Sequence, residues 1–387
     1  MDAPAAARRT YRPLYLPPVP QDPPHEGRLI LKDGTTASLR PSRPDDLLAV
    51  KAFIDRLSPE SRRRRFFSAG EVSPQTLARL LDSSDPSRAL TLLAFRGFGE
   101  ERRVIGMGSY TTLDDGHAGE AGSGSGRIAE VSFVVDDAFQ GRGLGTLLLE
   151  RLSLVAVHHG IRRFRAVSHA DNLRMLEVFR QSGFRVEEDL DGAYAYVDLW
   201  LAPDEATVER MEWRDRIATV ASLQPLFRPR SVAVVGASRE PGSVGFRILE
   251  ELVRNRFNGP VYPVNPRARV VGSIRAYPSV RDIPDEVDLA VIAVPAAVVP
   301  RVVEECAAKG VRGLVVISAG FAEVGEEGRR RQQDLVERVR AGGMRLVGPN
   351  CLGLINTHPD VRLNASFSPV FPPHGPVAMA SQSGALG

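Results

Sequence analysis

Between Arg28 and Leu201 the apolar positions change period every few residues, which predicts short strands interleaved with amphipathic helices. Arg28–Leu31 and Thr36–Arg40 read as a hairpin turning at Asp33-Gly34, followed by helices over about Asp45–Leu57 and Ser73–Leu81, the latter with Pro74 in its first turn. Strands are predicted at Leu90–Phe95, Val104–Thr112 and Ile128–Val135. Then come a helix over Gly143–His158, a strand over Arg163–Ser168, a helix over Asn172–Gln181 and a closing hairpin over Phe184–Leu201. The proline-rich residues 1–26 read as a flexible arm and the Gly/Ser-rich Asp114–Gly126 as a mobile loop.

Residues 202–229 are charged, partly helical in pattern, and end in Pro225 and Pro229. Beyond them the strands become continuous apolar runs: Val232–Val235, Val261–Val264, Leu289–Val294, Leu314–Ile317 and Arg345–Val347. Such runs belong to parallel strands covered on both faces, hence a doubly wound α/β unit over about 230–356. In the last segment, 357–387, Val377–Ala380 and the turn Ser381-Gln382-Ser383-Gly384 read as the first strand and turn of a further α/β unit that stops before its helix. The chain thus reads as part of a longer, multidomain α/β and α+β protein.

A length of 387 residues suits two to three domains, and 43% apolar with 25% charged residues excludes disorder for most of it. The net charge of +3 comes from basic residues scattered among acids, so no nucleic-acid footprint is expected. No apolar run reaches the roughly 20 residues of a membrane span, and the N-terminus lacks an apolar signal core. With only Cys306 and Cys351 present there is no disulfide framework, so the cytoplasm is the expected compartment and both thiols read as packing residues. The seven histidines show no metal-ligand spacing. His158 and His159 end a predicted helix, where the dipole favours them.

Two Gly-rich turns carry the chemistry. Gln140-Gly141-Arg142-Gly143-Leu144-Gly145 lies between a strand and a helix, where glycines let the backbone approach a pyrophosphate and the helix N-terminus favours its charge. A dinucleotide fingerprint would need a parallel βαβ unit and an acid about 20 residues on. Here the preceding strands form a meander, and the next strand ends Val167-Ser168-His169. The second turn runs from Val235-Gly236-Ala237-Ser238 to Ser243-Val244-Gly245. It lacks the Lys-Ser/Thr of a P-loop, and Asn265-Pro266 stands where an NAD site would carry its acid. Glu130, on the strand leading into the first turn, is a candidate general base for an incoming ammonium; its alternative is a solvated edge carboxylate.

Residues 27–201 resemble the GNAT acyltransferases through Gln140, Gly143 and Gly145 of the pattern Gln/Arg-x-x-Gly-x-Gly and through the segment from Asn172 to Phe184. The resemblance implies a GNAT fold in which Val134, Gln140, Gly141, Arg142, Gly143, Leu144, Gly145, Thr146 and Asn172 hold acetyl-CoA. Likeness to the protein lysine acetyltransferases of that family implies Glu130 as base and extends to Leu57–Phe67 with its arginines. Phe179 departs from the tyrosine that many members use to protonate the leaving thiolate, so water must do so here.

Residues 230–356 resemble the Rossmann-like CoA-binding domain of nucleoside-diphosphate-forming acyl-CoA synthetases. The segments that match are the Gly236–Gly245 turn, Tyr262–Pro266, Ala293-Val294-Pro295, Ser318–Phe321 and Gly348–Gly353. Gly236, Ser238, Ser243, Asn265, Pro295 and Ser318 are the implied CoA contacts. In that family a phosphohistidine lies in the following flavodoxin-like domain, whose start residues 357–387 would be; His358 and His374, in proline-flanked loop, do not fit that role.

Two functions with turnover follow, beside a pure CoA-sensing module without turnover. One is acetyl transfer from acetyl-CoA to a protein lysine, with the second domain as a CoA-binding regulatory or scaffolding unit. The other is part of an acyl-CoA synthetase, an acid-thiol ligase, with an accessory GNAT domain. Neither calls for nucleic acid, membrane or metal.

Overall fold

The computed structural model describes residues 25–67, 72–97, 99, 102–113, 127–201 and 205–382. Most of the predicted arm and the whole of the predicted loop 114–126 fall outside these residues. Eight strands form the first sheet: β1 (Gly27–Ile30), β2 (Thr36–Pro41), β3 (Ala89–Arg96), β4 (Arg103–Thr112), β5 (Arg127–Val135), β6 (Ile161–His169), β7 (Arg185–Asp191) and β8 (Tyr194–Trp200). They lie in the order β1-β2-β3-β4-β5-β6-β8-β7, and only β5 and β6 run parallel. Helices α1 (Leu47–Arg56), α2 (Pro59–Phe66) and α3 (Pro74–Leu81) fall on one face, α4 (Leu144–His158) and α5 (Leu173–Arg180) on the other. Alternation along β5 serves both layers: Ala129, Val131 and Phe133 join the α4 side, while Val134 packs with Val50, Phe53 and Met107 under α1.

The sequence reading gave no separate helix over Pro59–Phe66, because its four arginines leave no apolar stripe. Local chemistry starts it instead: Ser58 caps the Ser61 N–H, and Pro59 occupies the first turn. Residues predicted as a partly helical linker form one 23-residue helix, α6 (Glu205–Phe227), with Pro225 in its last turn.

The second sheet has the order β10-β9-β13-β14-β15, all parallel, from β9 (Val232–Val235), β10 (Val261–Val264), β13 (Leu289–Ile292), β14 (Gly313–Val316) and β15 (Arg345–Val347). Helices α7 (Val244–Arg254), α8 (Val299–Lys309) and α9 (Glu326–Ala341) connect them, and a short ribbon, β11 (Val270–Val271) with β12 (Ile274–Arg275), lies between β10 and β13. The doubly wound prediction holds. Beyond β15 the structure departs from the reading. A hairpin of β16 (Gly353–Asn356) and β17 (Leu363–Ser366) buries Val361, Leu363 and Ala365 in the same core as β9 and α7, so this unit continues past residue 356. Val377–Ala380 is not a strand: prolines and Gly375 precede it, no ladder partner lies beside it, and Val377 and Met379 are exposed.

Gly245 shows how tightly the second unit is closed. A Cβ there would fall on the carbonyl oxygen of Gly236, so α7 can reach the end of β9 only without a side chain. Gly242, three residues earlier, faces open space. Thermal unfolding should show Gly245→Ala destabilised by about 2 kcal/mol or more and Gly242→Ala within about 0.5 kcal/mol of the parent.

Candidate functional site

The two parallel strands of the first sheet part company. β5 and β6 pair from Arg127 to Glu130 on one strand and from Ile161 to Arg165 on the other, and there the ladder stops. The wedge beyond it is a cavity of about 1280 Å³, walled by Val131–Val135 on one side and Ala166–Ser168 on the other. It continues to the Gly-rich turn and the start of α5. Glu130 stands at the closed end of the wedge, at the last paired position.

Of the residues proposed from sequence, Glu130, Val134, Gln140, Gly141, Gly143, Leu144, Gly145, Thr146 and Asn172 all line this cavity. Gly141 and Gly143 have φ of 76° and 82°, the left-handed region that favours glycine, and Gly143 caps α4. The first N–H groups of α4 therefore open toward the cavity, an arrangement suited to a pyrophosphate. Leu144 is itself buried, so it offers backbone only, and Asn172 caps α5 through the Met175 N–H at 3.4 Å. Arg142 is the exception to the reading. Its guanidinium turns to Asp33 at 3.0 Å and lies over the Phe139 ring. An arginine beside a phosphate loop invites a phosphate role, but the β1–β2 turn supplies its carboxylate first.

The turn is held from α2. Asp137 accepts from the Ser58 N–H at 2.9 Å and from the hydroxyls of Ser58 and Ser61 at 3.0 and 2.7 Å, and the Gln140 amide donates to Ser61 Oγ at 3.2 Å and to the Val135 carbonyl at 3.2 Å. Partial burial pushes the Asp137 carboxyl up, but these donors outweigh it and hold it below its ordinary value of 3.8.

Arg65, also from α2, enters the cavity and faces Glu130; burial pulls its guanidinium down to about 10 against the opposing pull of that carboxylate. Its Nη2 reaches Ser109 Oγ at 3.3 Å, and its buried Nε has no hydrogen-bond partner among the described residues. Phe179 is buried against Phe133, so the position holds no hydroxyl.

Sequence reasoning missed one wall. Met211, Arg214 and Ile217 of α6 line the cavity, and Arg214 pairs there with Glu150 of α4. Burial pushes the Glu150 carboxyl up, and the Arg214 charge opposes it. Nothing local announces this contact, because α6 reaches α4 only through tertiary packing.

Comparison with known proteins agrees with this geometry. The acetyltransferase (GNAT) family matches residues 57–184, and an acetyltransferase of Pseudomonas aeruginosa is 30% identical over 163 residues, 42% of this chain and 81% of that protein. The chain belongs to the GNAT acetyltransferase family. The crystal structure of the GNAT domain of S. lividans PAT is 30% identical, covering 45% of this chain and 96% of that one with a TM-score of 0.40. Residues 230–357 match the CoA binding domain family. The same half is similar to the α subunit of an ADP-forming acetate–CoA ligase I of Pyrococcus furiosus, 49% identical over 170 residues, 43% of this chain. The chain spans 36% of that subunit and 22–23% of the similar ligases of Archaeoglobus fulgidus and Methanocaldococcus jannaschii. The chain thus joins a GNAT domain to a CoA-binding domain, and its cofactor is CoA or acetyl-CoA.

In the CoA-binding domain the strand order places the topological switch between β9 and β13, where ligands of such sheets bind outside the carboxyl ends. Gly236, Asn265, Pro295 and Ser318 follow β9, β10, β13 and β14 at that edge. Ser238 and Ser243 spend their hydroxyls in the turn, on the N–H groups of Glu240 and Phe246. Asn265 donates to the Ala237 carbonyl at 2.6 Å, and Ser318 to that of Val294 at 2.5 Å. These side chains shape the edge, which leaves backbone N–H groups of the 236–245 turn for a phosphate.

Because Asp137 is held low, its stabilising effect is present at neutral pH and is lost as pH falls through its native value, below 3.8. Asp137→Asn should cost about 1 kcal/mol at pH 7, since the group is exposed and its bonds are screened, and the gap to the parent should close in denaturant unfolding as pH falls below 3.8.

Proposed function

We propose that the CoA-binding half serves an acyl-CoA ligase of the nucleoside-diphosphate-forming kind, an acid-thiol ligase, with the GNAT domain as a second, accessory thioester site. The observation that supports this most is the 49% identity of that half to an ADP-forming acetate–CoA ligase subunit. On this reading the Gly236–Gly245 turn holds CoA while the acid is activated elsewhere in the full protein. The test is CoA consumption by the full-length protein, dependent on both ATP and free acid; none at any acid would remove the ligase reading.

A second reading concerns the GNAT half alone and rests on the wedge with Glu130 at its closed end. It is transfer of acetyl from acetyl-CoA to the side-chain amine of a protein lysine. The amine nitrogen bonds to the thioester carbon, the carbon–sulfur bond breaks, Glu130 takes the ammonium proton directly or through water, and solvent returns a proton to the thiolate. A lysine with a pKa near 10.4 is almost wholly protonated at neutral pH, so the base matters. The two readings are compatible in one protein: labelled acetyl-CoA incubated with a lysate, followed by mass spectrometry of the acceptor, tests the second independently of the first.

Two Gly-rich turns in separate units should give two CoA sites per chain by calorimetry, with Gly143 and Gly145 changed to valine removing one and sparing the other. A single site abolished by those changes would refute the second. Positioned proton transfer contributes about 10² to 10⁴ in rate, so Glu130→Gln should lower kcat by that factor at neutral pH with acetyl-CoA affinity nearly unchanged. The deficit should shrink as pH rises and the acceptor deprotonates unaided. Full turnover in the variant across the neutral range would make Glu130 a plain surface carboxylate.

A further inference from the structure

The register of the first sheet extends the site beyond the cavity. Residues directly opposite in neighbouring strands share a face, so Glu130 of β5 stands in one row with Arg165 of β6, Asp198 of β8 and Glu187 of β7. The next row is Val167, Tyr196 and Asp189, and the one after it His169, Tyr194 and Asp191. On this face α1 and α3 cover the sheet only as far as β5. Past Glu130 no helix of the described residues is packed on it, and on this shelf Tyr194 and Tyr196 are 38% and 41% exposed.

Three observations give the shelf a chemistry. Phe67, which lines the cavity, is held at a left-handed φ of 55° at the end of α2, and its ring meets His169 at 5.3 Å and Tyr194 at 5.8 Å. His169 and Tyr194 meet at 5.4 Å, and the buried His169 Nε2 has no hydrogen-bond partner among the described residues. Asp189 and Asp191 are exposed and, among the described residues, their carboxylates take part in no hydrogen bond or ion pair. The other charges of this face are matched within it: Asp198 to Arg163 and Arg165, Glu187 to Arg185. On α2, Arg63 lies by Asp171, Arg64 by Glu60 and Arg65 by Glu130. The charge left over at the far end of the shelf is negative.

We propose that this shelf docks the acceptor: a protein segment carrying the target lysine among further basic residues. The inference rests on the lysine-transfer reading of the GNAT half. The aromatic trio takes the lysine stem and ammonium at the cavity mouth, where aromatic faces attract cations, and Asp189 and Asp191 face the flanking positive charges. Binding along β6 and β8 then delivers the amine toward Glu130.

The test uses two synthetic peptides, each with one central lysine, flanked by arginines in one and by glutamates in the other. With the full chain and acetyl-CoA, the basic peptide should be preferred by about tenfold in kcat/KM, the scale of two screened carboxylates. Asp189→Asn/Asp191→Asn should bring the ratio near one through KM, with kcat at saturating peptide unchanged. Tyr194→Ala should raise KM for both. Equal use of the peptides by the parent, a preference for the acidic one, or a preference that survives in the double variant would overturn the proposal. Binding of the same peptides, labelled and read by fluorescence anisotropy without acetyl-CoA, separates the two layers. Charge-selective binding lost in the double variant but with no transfer would keep the docking surface and remove the lysine-transfer reading; no selective binding would remove the surface itself.

Discussion

The site depends on a ladder that stops. β5 is paired with β4 from Ala129 to Val135, while its other edge leaves β6 after Glu130. Parallel strands that separate expose backbone N–H and C=O groups, which must find partners elsewhere. Val131–Val134 thus present a ready hydrogen-bonding edge along the wedge, of the kind that an extended amide-bearing chain could complete as a missing strand would. The remaining features follow from where the wedge points. Its open end meets the Gly-rich turn after β5 and the start of α5 after β6, so two helix N-termini converge there, an arrangement suited to a pyrophosphate.

The wall that closes this wedge belongs to neither sheet. α6 meets the cavity through Met211 and Ile217, and through Arg214 it holds the buried Glu150. Further along the same helix Ser222 accepts from Arg345 Nε of β15 at 2.7 Å, and the Phe227 carbonyl accepts from Asn356 of β16 at 2.6 Å. Direct contacts reinforce it: the Gly97 N–H donates to the Ala341 carbonyl at 2.9 Å, and the Thr36 hydroxyl donates to the Arg340 carbonyl at 3.4 Å, at the end of α9. A segment that composition marks as a connector is therefore a packed component of both units. Displacing it would expose apolar surface on α4 and leave the Glu150 carboxylate buried without its cation, a costly state for a charge.

Most of the architecture was legible in sequence because strand and helix periods are local. The buried parallel strands read directly as apolar runs, and Val232–Val235 and Leu289–Ile292 are buried throughout. The Gly-rich turn was legible because glycine is demanded where φ is positive. What escaped depends on distant partners. α2 has no apolar stripe and is fixed by Asp137, far along the chain. The role of Arg142 is decided by Asp33 in the β1–β2 turn. Val377–Ala380 carries strand propensity yet forms none, since propensity without a neighbouring edge has nothing to pair with. Glu130 was proposed from its strand position and the family resemblance, but its facing cation comes from α2, and only the fold brings Arg65 there.

On the lysine-transfer reading Glu130 is a base to which Phe179 adds no matching acid, and the chemistry of the leaving group makes that sufficient. Phe179 offers no proton. Tyr110, the large buried phenol of the same sheet, donates to the Pro86 carbonyl at 2.5 Å, and burial pushes its own pKa up. A thiol ionises near 8.5, whereas the attacking ammonium holds its proton until about 10.4. The thiolate is thus a competent leaving group without prior protonation and can take its proton from solvent after departure. The amine, by contrast, cannot attack until its proton has gone. On that reading Phe179 leaves out the less necessary half of an acid–base pair, while Glu130 at the end of the ladder is the half on which the barrier depends.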